Sequence, residues 1–222
     1  MSSFCRSSLL WVLVFASMIA CAGERSGIPL PAPQVDASIG AAKTPQAAVL
    51  SGGCFWGIQA VFQHVKGVIR ATSGYSGGEQ KTAQYEMVST GDTGHAESVQ
   101  ITYDPSQITY GQILRIFFSV AHDPTQLNRQ GPDEGPQYRS AIFYGDNEQK
   151  KIAEAYIAQL DRAKVFPAPI ATQVVALKGF YPAESYHQDY AALHPYNPYI
   201  VYNDAPKVAH LREQFPDFYR DK

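Results

Sequence analysis

Cys54 is the side chain with the most chemistry to offer. It stands in Gly52-Gly53-Cys54-Phe55-Trp56-Gly57, with the apolar run Val49-Leu50 shortly before it. That run reads as the end of a strand, and Phe55, Ile58, Val61 and Phe62 then recur at helical spacing. The two glycines supply a tight turn and let a ligand approach the backbone. Cys54 therefore falls at a helix N-terminus, where free N–H groups and the helix dipole favour an anion. A thiol placed there is expected to ionise more easily, and the thiolate is the nucleophile. The bland alternative is a small hydrophobe packed in a core turn. Glu97 is the second reactive candidate. Residues 96–103 alternate, and Glu97 shares its face with Val99, Ile101 and Tyr103. A carboxyl group on that apolar face is desolvated, so its neutral form is favoured and it becomes a general acid. The alternative puts Glu97 at the strand end, in solvent.

Gly-Cys-Phe-Trp-Gly resembles the active-site signature of the A-type peptide methionine sulfoxide reductases, and the likeness runs from about Ala47 to about Ala192. The resemblance implies roles for further residues. Gly94-His95-Ala96-Glu97 is similar to a second motif whose Glu protonates the sulfoxide oxygen. Tyr85, and Tyr138 in Gln137-Tyr138-Arg139-Ser140, match tyrosines that hydrogen-bond that oxygen. Phe55 and Trp56 match the aromatic pair that holds the substrate methyl group, and Asp133 matches an Asp that holds the polar network. Tyr186-His187-Gln188-Asp189-Tyr190 resembles a motif whose His187 and Tyr190 border the site. The family commonly has Glu where Gln59 stands, a change expected to affect helix polarity rather than chemistry. The resemblance implies the S epimer of methionine sulfoxide, free or in oxidised proteins, as substrate. It also implies a Cys54 sulfenic acid, no metal or organic cofactor, and an external thiol reductant such as a thioredoxin-like protein.

Several elements must position these groups. A strand at 47–51, the Cys54 helix, strands at 68–75 and 96–103, a buried helix at 110–121 and a strand at 140–144 follow in order. This order matches the split β-α-β plait, so the expected fold is α+β with a ferredoxin-like core and a mainly antiparallel sheet. Beyond it, Asp146 caps a helix with Gln149 as capping-box partner. A strand at 172–177 and helices at 183–193 and 208–215 complete the expected set. The loop at 122–137 is long enough to be functional.

Residues 1–22 read as a secretion signal, with Arg6 ahead of an apolar run from Leu9 to Ala20. Met18-Ile19-Ala20-Cys21 resembles a lipobox that would make Cys21 a lipidated first residue; Ala20-Cys21-Ala22 is the competing A-x-A cleavage site. The lipobox is favoured, which implies an exported, periplasmic protein that meets the membrane through its anchor alone. Residues 23–46 are rich in Ala, Pro, Ser and Gly and read as a tether, leaving 47–222 as the catalytic domain. No Cys follows Cys54, so recycling through an internal disulfide is not expected. Near-neutral charge without a basic stripe argues against nucleic acid. Two rival functions stand beside the reductase: a Cys–His hydrolase with His95 or His187 as base, and a non-enzymatic lipoprotein binding partners through its tyrosine-rich surface.

Overall fold

The computed structural model describes residues 30–40 and 42–222, so the signal segment 1–22 and Cys21 lie outside the described residues. In chain order the elements are β1 (Gln46–Ser51), α1 (Phe55–Gln63), β2 (Val68–Ser76), α2 (Tyr85–Val88), β3 (Ala96–Tyr103) and α3 (Tyr110–Ile116). Then come β4 (Arg129–Gln130), β5 (Asp133–Glu134), β6 (Ala141–Tyr144), α4 (Asn147–Arg162), β7 (Gln173–Ala176), β8 (Phe180–Pro182), α5 (Tyr190–Leu193) and α6 (Ala205–Gln214). The main sheet has the order β7-β6-β1-β3-β2-β8. Its four inner strands, β6-β1-β3-β2, are mutually antiparallel, which is the strand order of the expected plait. β7 extends one edge parallel to β6, and β8 extends the other antiparallel to β2. The expected ferredoxin-like α+β core is therefore the one observed.

The alternation in β3 sets up the core. Glu97, Val99, Ile101 and Tyr103 are all buried, beneath α1 and α3. The other face is only partly polar. Gln100 is half-buried, whereas Ser98 is fully buried and pairs its hydroxyl with Ser51 at 2.7 Å. A small second cluster of Val49, Ala96, Ala141 and Phe143 covers that end, with Leu177 and Phe180 packed on it. α1 is buried nearly all round, between the sheet and the C-terminal helices. α3 carries a full Thr109–Gln112 capping box and opens into a π-turn at Phe117–Ala121, so the single helix expected at 110–121 changes pitch in its last turn. Asp146 does cap α4, but the Gln149 side chain accepts from Gly145 N–H, one residue before the expected partner, and donates to Ala47 C=O.

Two expectations are corrected. The helix at 183–193 is broken into a 3₁₀ turn at Ser185–His187 and the short α5, with Gln188 extended and Asp189 left-handed at φ 57°. The reason is the Gln188 side chain. It accepts from Ser73 N–H at 3.0 Å and donates to Ser73 C=O at 2.9 Å, continuing the edge of β2 where β8 stops. A helix through 188 would withdraw that amide. The tether expected at 23–46 is, over 30–37, a docked strap. Arg115 and Ser119 hold Leu30, Tyr156 donates to Pro31 C=O, and Gln159 bonds both Ala32 C=O and Gln34 N–H. Asp36 then accepts from Thr109 and from Gly111 N–H. Proline-rich composition denies this stretch a core of its own, yet its backbone carbonyls remain open to side chains of a finished helix layer.

Gln159 makes two strap bonds, to Gln34 N–H and Ala32 C=O, both at 2.9 Å. Gln159→Ala should therefore lower the unfolding free energy by about 1–3 kcal/mol. Chemical denaturation checks this, and an unchanged midpoint would show that the two Gln159 bonds contribute nothing to stability.

Candidate active site

The turn between β1 and α1 is as tight as its glycines suggest. Gly53 has φ +96°, and a Cβ on Gly52 would lie 2.7 Å from the His122 ring. Cys54 follows as the N-cap of α1, a buried residue with 7 % of its surface exposed. The first free N–H groups of the helix are then shared out. Phe55 N–H donates to Glu97 Oε2 at 3.0 Å, and the Trp56 N–H favours the Cys54 thiolate. The expected easier ionisation is nevertheless reversed. Burial pushes the thiol well above its ordinary range, and Glu97 and Asp204 push it further. Trp56 N–H and the Lys207 ammonium pull the other way without prevailing. At rest Cys54 is a neutral thiol.

Glu97 sits opposite Tyr75 in the β2–β3 register, on the apolar face. Burial pushes its pKa up to about 8; Phe55 N–H works against that, and Asp133 and Asp204 add to it. Glu97 is therefore protonated at neutral pH. Tyr85, at the start of α2, and Tyr138, ending a 3₁₀ turn at Pro136–Tyr138, lie within the fields of both Glu97 and Cys54. Both hydroxyls are held above the ordinary phenol range, burial first, so both are proton donors.

An aromatic wall adjoins these groups. Tyr190 stacks on Trp56 with ring centroids 3.8 Å apart and planes 10° off parallel. Tyr199 meets Trp56 edge-on at 6.0 Å and donates its hydroxyl to Asp133. Trp56 Nε1–H donates to His187 Nδ1 at 3.3 Å, and the His187 ring lies 5.1 Å from Phe55 and 4.5 Å from Tyr85. The break at Gln188 is what turns His187 and Tyr190 toward Trp56. Gln59 secures it: its side chain donates to Ala71 C=O and Gln188 and accepts from Asp189 N–H. Its part is to anchor that segment, rather than to set helix polarity.

The structure thus gathers Cys54, Phe55, Trp56, Tyr85, Glu97, Asp133, Tyr138, His187 and Tyr190 around the N-terminus of α1. Sequence reasoning missed Tyr199, Asp204 and Lys207. Asp-Ala-Pro at 204–206 carries a helix-start signal, but nothing local says that this helix packs on α1. The Cys–His arrangement does not form. His95 accepts from Gly78 N–H and donates to Glu79 C=O, and His187 Nδ1 is spent on Trp56.

Residues 46–218 match the peptide methionine sulfoxide reductase family. The chain is 62 % identical over 182 residues to peptide methionine sulfoxide reductase MsrA 2 of Mesorhizobium japonicum, covering 82 % of this chain and 93 % of that one. It is 50 % identical over 190 residues to MsrA 2 of Synechocystis, covering 86 % and 89 %. Among solved structures it is similar to methionine sulfoxide reductase A of Corynebacterium diphtheriae, with TM-score 0.60, 33 % identity and coverage of 78 % and 88 %. It also resembles reduced Mxr1 of Saccharomyces cerevisiae, with TM-score 0.62, 31 % identity and coverage of 74 % and 92 %. With family, fold and a buried thiol–carboxyl pair in agreement, the chain belongs to the peptide methionine sulfoxide reductases of the A type and is an enzyme that reduces methionine sulfoxide.

Proposed function

We propose that Cys54 attacks the sulfur of a methionine S-sulfoxide while Glu97 protonates its oxygen. The observation that carries this reading is the hydrogen bond of 3.0 Å from Phe55 N–H to Glu97, which sets an un-ionised acid beside the helix end that bears the thiol. Phe55 and Trp56 hold the methyl group, where apolar and sulfur–aromatic contact is favourable. Tyr85 and Tyr138 direct their hydroxyls at the oxygen, and Asp133 with Tyr199 closes the polar side. The proton of the Cys54 thiol replaces the one that Glu97 gives up. The net step converts thiol and sulfoxide into sulfenic acid and thioether, so atoms and electrons balance.

Recycling needs a thiol from elsewhere. Cys54 is the one cysteine among the described residues, and none follows it in the sequence. A thioredoxin-like donor attacks the sulfenic acid, releasing water and forming a mixed disulfide that its second thiol resolves. The amino-terminal sequence supports an exported protein with Cys21 lipidated, working on oxidised proteins outside the cytoplasm. In that arrangement the signal is cut ahead of Cys21, which becomes the lipidated first residue, and the folded unit takes in the strap from residue 30 onward. Metabolic labelling with a fatty acid should mark the wild type and not Cys21→Ala; an unlabelled wild type beginning at Gly23 would establish A-x-A processing instead.

Cys54→Ser should abolish turnover, and Glu97→Gln should lower kcat by about 10²–10⁴-fold with little change in KM. Wild-type activity should fall as pH rises through about 8, where Glu97 loses its proton, and Glu97→Gln should lack that limb. Stability carries the same sign. Above the ordinary carboxyl range and up to about 8, native Glu97 keeps a proton that the unfolded chain has released. Unfolding free energy should therefore drop with rising pH, by up to about 1.4 kcal/mol per pH unit from this group. Full activity of Glu97→Gln across neutral pH would overturn the acid assignment.

One turnover with excess sulfoxide and no reductant should consume one thiol, yield one methionine per protein, and leave Cys54 reactive to dimedone. A Cys21–Cys54 disulfide in protein taken from the cell envelope would contradict both external recycling and lipidation.

A further inference from the structure

Asp204 and Lys207 form a charged pair that belongs to none of the recognised motifs. Asp204 ends a π-turn at Ile200–Asp204, just ahead of α6, and is fully buried. Its Oδ1 accepts from Lys207 Nζ at 3.0 Å, while Oδ2 is buried without a partner among the described residues. The pair presses on α1 at Gly57, where a Cβ would lie 2.7 Å from Lys207 Nζ and would overlap Asp204 Oδ1. Gly57 follows Cys54 by three residues, and positions three apart share a helix face. The side chain missing beneath the nucleophile is thus replaced by a carboxylate and an ammonium. A buried ion pair with an unsatisfied oxygen is a poor device for stability alone, since well-packed apolar residues do as well or better.

We propose that Asp204 and Lys207 are a positioning pair that sets the charge felt by Cys54. Lys207 supplies the cation that supports the thiolate as it forms; Asp204 fixes that cation against Gly57 and offsets it at rest. The proposal rests on Cys54 being the nucleophile. The other groups around the site are acids or neutral donors: Glu97 from β3, Asp133 from β5, Tyr85 from α2, Tyr138 from its 3₁₀ turn, and Tyr199 at the start of the π-turn that ends in Asp204. His187 lies beyond Phe55 and His122 behind Gly52, both held neutral by burial. Lys207 is the cation whose field favours the thiolate against these acids.

The test is the rate of iodoacetamide alkylation of Cys54 in the full-length protein over about pH 6–10, read from the mass of the Cys54 peptide. Turnover is measured alongside. Lys207→Met should slow alkylation at neutral pH by about tenfold and lower kcat more than KM changes. Asp204→Asn should do the opposite to alkylation, speeding it, because the cation is no longer offset. The double variant should return toward the wild-type rate. Loosened packing would instead expose the thiol and accelerate both single variants alike. If Asp204→Asn does not fold, Lys207→Met and its rescue by Lys207→Arg decide the matter. Same-direction shifts, or a Lys207→Met profile matching wild type, would overturn the proposal. A Cys54→Ser variant that kept turnover would instead overturn the nucleophile assignment, because the alkylation readout does not depend on turnover.

Discussion

One hydrogen bond orders the site: Phe55 N–H to the Glu97 carboxyl, 3.0 Å long and buried. It joins the start of α1 to the middle strand of the sheet. The helix N-terminus must satisfy its first N–H groups, and here Glu97 takes the first of them from across the core, while the next, on Trp56, favours the Cys54 thiolate. The distance between acid and nucleophile is therefore set by the packing of α1 on β3. Both elements are fixed by fully buried neighbours such as Phe55, Ile58, Val99 and Ile101. Precision comes from rigid elements rather than from loops, which suits a reaction in which a proton and a sulfur must meet the same small group.

Burial decides the charges. A helix N-terminus alone would lower the thiol pKa. In this site the removal of water outweighs it; Glu97 and Asp204 act on the sulfur with Lys207 as the opposing cation, and Asp133 acts on both of those carboxyls. Burial raises all three, Asp133 and Asp204 raise Glu97 further, and Asp133 raises Asp204, so none ionises as readily as in water. The tyrosine hydroxyls keep their protons under the same fields. The resting site is rich in protons, which is what removal of a sulfoxide oxygen consumes.

Much of this was legible in the sequence, for definite reasons. Glu97 revealed itself by period two, because a strand with one face in the core repeats its burial every second residue. The plait followed from element order alone, since each element is local and its pairing partners are few. What stayed hidden depends on distant contacts. The break at Gln188 comes from an amide that mimics a strand edge beside Ser73, 115 positions earlier. The strap at 30–37 reads as a tether because composition reports a segment's own apolar content, not side chains offered by Arg115, Tyr156 and Gln159. The thiol pKa runs opposite to the expectation for the same reason: the helix end is visible in sequence, whereas the depth of burial is a property of the packed whole.

That reversal has a functional logic. A cysteine that is permanently ionised and exposed is open to oxidation by any peroxide, and without a neighbouring thiol it has no internal route back. Cys54 has no such neighbour among the described residues. A neutral, buried thiol avoids the loss, at the cost of needing activation for each turnover. The substrate brings the means. A sulfoxide oxygen carries partial negative charge and accepts hydrogen bonds, so once bound it draws a proton from Glu97, and the carboxylate left behind becomes an acceptor for the thiol proton. On the proposed mechanism the nucleophile is thereby generated only when the group it must attack is already in place, beside the aromatic wall of Phe55, Trp56 and Tyr190.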